Sequence, residues 1–110
     1  MKKMKRHISK TPQRWVVLKL PNKHYKVFAT WGGGYLSGDS WRLNSGISKV
    51  EQDKDFYYFY GFSGSCYRCH KKGYGTATSY GLNVLNQLTK RKSVRLMKDR
   101  KDWTKLNTII

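Results

Sequence analysis

The segment Phe56-Tyr57-Tyr58-Phe59-Tyr60-Gly61-Phe62 puts six aromatic rings into seven residues, and no other stretch of the chain narrows its folding choices as far. Aromatic side chains fit the pleated surface of a sheet, where successive residues alternate between two faces. Phe56, Tyr58, Tyr60 and Phe62 then share one face, and Tyr57 and Phe59 share the other. One set is expected to build the core against a helix. The other either lies on an outer face beside Arg42, Lys49 and Arg68, where exposed rings would form a stacking platform for unpaired bases, or is covered by helix and loops; the second is favoured, because aromatic β faces in small barrels commonly serve packing alone.

The segments around this run read the same way. Arg14 to Leu20 is rich in β-branched and aromatic residues and stops at Pro21-Asn22, and Tyr25 to Trp31 alternates, so the two predict a hairpin. Trp41 to Leu43 and Ile47 to Glu51 flank the turn signal Asn44-Ser45-Gly46. Cys66 to His70 is expected to pair back on the aromatic run across Ser63-Gly64-Ser65.

After residue 78 the period changes. Ser79 is placed to cap a helix near 79–90, with Leu82, Val84, Leu85 and Leu88 as its apolar stripe. Ser93 to Lys98 reads as a short strand or as a continued basic helix. The expected fold is α+β and mainly β, a five- or six-stranded antiparallel meander or half-open barrel with one packed helix.

Charge divides the chain. It carries 23 Lys+Arg against 6 Asp+Glu, a formal +17, but residues 1–14 and 90–110 each hold +6. The expected organisation is a basic N-terminal arm over 1–13, an aromatic-rich β domain over 14–89 and a basic segment over 90–110. Like charges with little apolar surface favour flexible arms, and two arms of one sign suit a polyanionic partner. No run reaches the length of a membrane span, and no apolar run follows the basic start as in a signal peptide, so the expected setting is cytoplasmic, with no membrane partner.

Motifs with chemical potential are few. Cys66-Tyr67-Arg68-Cys69-His70 matches the C-x-x-C-H pattern of covalent haem attachment, but in a strand Cys66 and His70 face away from Cys69. A zinc site needs a second ligand pair, and only His7 and His24 remain. No metal and no cofactor are expected, and packing is the expected role of both cysteines. Lys72-Gly73-Tyr74-Gly75 resembles the opening of an RNA-binding strand motif, although Thr76 stands where a second ring belongs, and a glycine-bearing loop before the helix is the preferred account of it. The six carboxylates form no pair placed for acid–base work, so no catalytic residue is assigned and an enzyme is not expected. Gly32-Gly33-Gly34 is not a phosphate-binding P-loop, since no Gly-Lys-Ser/Thr follows, yet with Ser37, Ser40 and Arg42 it presents groups that suit an anion.

The segment Gly33 to Ile47 (GGYLSGDSWRLNSGI), with Ser63-Gly64-Ser65, Tyr67 to His70 and Tyr74-Gly75-Thr76, resembles small uncharacterised proteins encoded by tailed bacteriophages, over about residues 25–88. The resemblance implies a role in host takeover or counter-defence, in a bacterial cytoplasm or at its nucleoid, and brings no catalytic residues with it.

The leading expectation is a small basic protein that binds DNA or RNA through phosphates with weak sequence preference. The expected contacts are Lys2, Lys3, Lys5, Arg6, Lys10 and Arg14 from one end; Arg42, Arg68, Lys71 and Lys72 from the middle; and Lys90, Arg91, Lys92, Arg95, Lys98, Arg100 and Lys101 from the other end. Trp31, Tyr35, Trp41, Tyr57 and Tyr74 are the aromatic contact candidates. Two alternatives stand beside it. One is an inhibitor or adaptor docking on an acidic host protein of the transcription or nucleoid machinery, and the other is a counter-defence protein that binds a phosphorylated nucleotide. Sequence leaves the oligomeric state open.

Overall fold

The computed structural model describes residues 7–33 and 38–109. Its strands are β1 (Arg14–Leu20), β2 (His24–Trp31), β3 (Ser40–Leu43), β4 (Ile47–Gln52), β5 (Phe56–Gly61), β6 (Cys66–His70) and β7 (Arg95–Leu96). Helix α1 (Ser79–Thr89) precedes β7, and a 3-10 helix (Trp103–Thr108) follows it. The fold is mainly β, as the alternation predicts, but it is neither one meander nor a closed barrel. The strands form two antiparallel sheets, one in the order β3-β2-β1-β7 and one in the order β4-β5-β6.

The break between the sheets falls at Asn44-Ser45-Gly46, which the sequence reads as an ordinary turn. The β1–β2 hairpin forms as expected, with Arg14 opposite Thr30 through Leu20 opposite His24, and β3 adds to its far side. Asn44 then hydrogen-bonds Val27 twice: its backbone N–H donates to the Val27 carbonyl at 3.1 Å, and its Oδ1 accepts from the Val27 N–H at 2.9 Å. The same Oδ1 accepts from Gly46 N–H at 3.3 Å. Gly46 has φ 118°, a backbone conformation L side chains rarely adopt, and the chain leaves the first sheet here to enter the second as β4.

Between the sheets lies an aromatic core centred on Trp15, which is fully buried. Its ring meets Tyr74 at 4.9 Å, Phe59 at 5.2 Å, Trp103 at 5.9 Å and Tyr57 at 6.0 Å between centroids. Tilted and edge-on pairs of this kind each add about 0.5–1.5 kcal/mol beyond area burial. Val17, Val27 and Ala29 from one sheet and Val50 and Cys69 from the other complete this layer.

Two expectations about the core are corrected here. The inward rings of β5, Tyr57 and Phe59, pack against Trp15 and Trp103, whereas α1 lies on the opposite face of the first sheet, over Val16, Leu18 and Phe28. The helix also presents a different stripe. Thr78 rather than Ser79 is the cap, accepting from Gly81 N–H at 3.0 Å, and Leu82 is 46% exposed. At about 100° per residue, Gly81, Val84, Leu85 and Leu88 form the inward face. A Cβ at Gly81 would come within 2.8 Å of the Thr30 Cγ2, so the glycine lets the helix sit close on β2.

The third correction concerns the C-terminal segment, expected as an arm. Trp103 and Leu106 are fully buried, three residues apart on a helix of three residues per turn, and so project on one side into the core. Asp102 caps that helix by accepting from Thr104 N–H at 2.9 Å. Asn107 then closes the β4 edge, its side chain accepting from Val50 N–H at 2.9 Å and donating to the Val50 carbonyl at 2.8 Å. The N-terminal stretch is docked as well: Lys10 bridges Tyr67 in parallel, and its carbonyl accepts from Arg68 N–H at 2.9 Å. Among the described residues no helix is long and apolar enough to cross a membrane.

Candidate nucleic-acid interface

Residues 9–13 link the two sheets, because they hydrogen-bond to β6 on one side and to the end of β2 on the other. Gln13 N–H donates to the Thr30 carbonyl at 3.1 Å, and Trp31 Nε1 donates to the Thr11 carbonyl at 3.0 Å. Gln13 Oε1 also accepts from Gly32 N–H at 2.8 Å. Beside this link opens a groove of about 510 Å³, walled by Lys10, Gln13, Trp31, Gly32, Ser40 and Arg42 among others. Its described lining carries two cations and no carboxylate; Asp39 lines the adjoining hollow with Trp41 and Tyr80. Arg42 stands opposite Ala29 on β2, a core position, so its side chain leaves the sheet on the face turned toward β6. The phenol of Tyr67 is held above its ordinary value by burial and drawn back by the nearby Arg42 charge.

The second surface is the outer face of the three-stranded sheet. Phe56, Tyr58 and Tyr60 lie there, opposite His70, Arg68 and Cys66 of β6, but Tyr58 is buried and Phe56 and Tyr60 are half-buried, so the rings do not form an open platform. Its rings already have partners. The Arg68 guanidinium lies over Phe56 at 5.0 Å, Lys49 Nζ over Tyr60 at 4.6 Å, and the His70 ring meets Phe56 at 5.2 Å. The Tyr58 and Tyr60 hydroxyls donate to Asp53 and Glu51. Two carboxylates therefore sit on this face, which makes it a poorer polyanion surface than the groove.

Of the remaining sequence candidates, Lys2, Lys3, Lys5, Arg6 and Tyr35 lie outside the described residues. Arg14 is exposed at the start of β1, and Lys72, Lys90, Arg91, Lys92, Arg95, Lys98 and Lys101 are exposed. Lys71 is committed to structure, donating to Gln52 Oε1 at 2.7 Å with its ammonium 5.1 Å from the Tyr57 ring. Arg100 covers Trp103 at 5.6 Å.

Two aromatic candidates, Tyr57 and Tyr74, are also corrected. Tyr57 is 3% exposed and donates its hydroxyl to the Lys101 carbonyl at 3.0 Å, and burial raises its pKa. Tyr74 is stacked on Trp103, donates to the Met97 carbonyl and accepts from Val17 N–H, with burial pushing its pKa up to about 12. It ties β1 to the chain after β7 and presents no ring for a base. Trp41 is half-buried against Phe28, at 5.6 Å and 28°. Of the four described candidates, Trp31 alone stands in the groove.

Both cysteines are buried thiols, and Cys69, fully enclosed in the core, is held well above the usual thiol range by burial. Cys66 pairs with Tyr60 of the outer set and Cys69 with Tyr57 of the inner set, so the two thiols point to opposite faces.

The architecture is thus a two-sheet β sandwich with one helix on its larger sheet and a cationic groove at the link between the sheets. Comparison with protein-family models, with curated proteins and with solved structures found no match for the chain.

Proposed function

We propose that this chain is a nucleic-acid-binding protein rather than an enzyme, contacting DNA or RNA chiefly through phosphates. The observation that carries the reading is the groove in which Lys10 and Arg42 flank Trp31 with no carboxylate in the described lining. Three of the six acidic residues support it by being occupied elsewhere, whereas Asp39 stands beside Gly32 at the rim of the groove. Asp53 holds the β4–β5 turn, accepting from Asp55 and Phe56 N–H, Asp102 caps the 3-10 helix, and Asp99 accepts from Trp103 Nε1 at 3.1 Å. Most of the 23 cations are left to face solvent or a partner.

The test is a titration of DNA and RNA oligonucleotides across a salt series. If about six phosphates are contacted, affinity falls by roughly a thousandfold between 50 and 200 mM salt. Arg42→Gln and Lys10→Gln each lower the salt slope by about one. Binding that is flat in salt, or absent at low salt, overturns the proposal.

The nucleotide reading draws on the same groove, since Gly32, Gly33, Ser40 and Arg42 do converge there. Thermal stabilisation by nucleotides and not by oligonucleotides would favour it. A partner that survives nuclease treatment in a pull-down would favour the acidic host protein instead. The resemblance to phage-encoded proteins fits all three as devices for acting on a bacterial host.

A further inference from the structure

At the other end of β1 from the groove, about 20 Å away by strand rise, three cations from two distant stretches of the chain meet. Lys19 stands at the end of β1, Arg95 begins β7, and Lys92 lies in the turn between α1 and β7. With Leu20, Pro21 and Ser93 they line a hollow of about 330 Å³ that has no carboxylate among these residues. Lys19 and Arg95 are direct cross-strand partners, so their side chains leave the same face with Cβ atoms about 5 Å apart.

Like charges in that position oppose strand pairing. Here the pairing is short to begin with, since β7 has two residues, paired as Leu18–Leu96 and Lys19–Arg95, with one further backbone hydrogen bond just beyond it from Met97 N–H to the Val17 carbonyl at 3.0 Å. A multivalent anion seated in the hollow removes the repulsion, and the hydroxyl of Ser93 offers it a further donor.

We propose that this hollow is a phosphate-binding subsite, built by Lys19, Lys92 and Arg95, for the phosphates of a nucleic-acid backbone or of a free oligophosphate. The inference deepens the nucleic-acid reading by giving the protein two phosphate-binding places separated by the length of β1. It follows that a bound strand extends beyond the groove and that the hollow, unlike the core, is less stable without its ligand than with it.

The experiment is an amide NMR titration of the full chain with tripolyphosphate at low salt, repeated with an oligonucleotide. It uses the natural protein, the Arg42→Gln variant and a triple Lys19→Gln, Lys92→Gln, Arg95→Gln variant. Saturable shifts at Lys19, Ser93 and Arg95, kept in Arg42→Gln and abolished in the triple variant, support the subsite. The triple variant should melt at the same temperature or higher without ligand, whereas a purely structural role for these cations would lower it. Its oligonucleotide salt slope should drop by about 2.7, since each phosphate no longer neutralised takes away roughly 0.9.

Shifts that spread over all exposed lysines without saturating indicate an adventitious ion only and overturn the subsite. Oligonucleotide binding with no shift at the hollow overturns it too, while leaving the groove reading intact. Saturable tripolyphosphate binding with no oligonucleotide binding supports the subsite for free oligophosphates and overturns the nucleic-acid reading.

Discussion

The two ends of the chain carry equal charge and do unequal work. Residues 1–14 and 90–110 each hold +6, yet the described part of the first docks by backbone hydrogen bonds and turns Ser9, Lys10, Thr11 and Gln13 into a groove wall. The second drives Trp103 and Leu106 into the centre of the aromatic core and closes the β4 edge with Asn107. Net charge therefore says nothing about whether a segment belongs to the fold. Apolar residues at the spacing of one helical turn do, even among eight cations.

The largest expected effect comes from deleting the buried anchor of the second end. Trp103→Ala removes a ring packed on Trp15, Phe59 and Tyr74, and should lower unfolding free energy by about 3–5 kcal/mol. Urea denaturation reads this directly, and a loss below about 1 kcal/mol would return the C-terminal segment to the status of an arm. A chain ending at residue 89 should fail to fold for the same reason. Next, Asn107→Ala takes both hydrogen bonds from Val50 and should cost about 1–2 kcal/mol, with faster amide exchange at Val50 as the local signature. Unchanged exchange there would mean that the edge is closed by something else.

The junction at Tyr74 gives a pH test of how the end is tied in. Its folded pKa of about 12 lies above the ordinary phenol value of 10.0. Below pH 10 the phenol is protonated in both states and its stabilising contribution is complete. Between 10 and 12 the unfolded chain loses the proton while the folded one holds it, so stability falls as pH rises. Tyr57 and Tyr67 shift in the same direction. Tyr74→Phe should flatten the decline across this window, and an equally steep decline in the variant would assign it to other groups.

The smallest effect on stability belongs to the groove wall. Lys10→Gln should change unfolding free energy by less than about 0.5 kcal/mol while reducing the salt slope of nucleic-acid binding by about one. A marked loss of stability would show that the side chain holds the link between the sheets instead of facing a ligand.

Much of the fold is legible residue by residue. The β1–β2 hairpin, the strand at Phe56 to Gly61 with its two ring faces, and the helix after residue 78 follow from period and turn chemistry. The crossover at Asn44 is not legible, because a turn signal fixes where a chain bends and not which sheet it joins next. The helix stripe is misread through Leu82, since the inward face contains Gly81, a position that pattern-reading scores as a weakness and packing on Thr30 requires. Trp103-x-x-Leu106 behind the cap Asp102 is a readable signal hidden by the charge around it.

The candidate sites show a sharper division. Lys10, Arg42 and Trp31 can each be named as contacts from the sequence, as can Lys92 and Arg95. Lys19 cannot, because nothing in a strand end announces which strand will pair beside it. By itself the sequence determined the strand periods, the turns, the charge and the supply of rings, all of which are properties of neighbours along the chain. Only the tertiary structure decided that Tyr57 is core and Tyr74 packed against it, that Arg100 and Lys71 are used up on rings, and that cations from two distant segments meet at one hollow. Burial and like-charge proximity are set by distances through space, and those exist only once the two sheets have closed on Trp15.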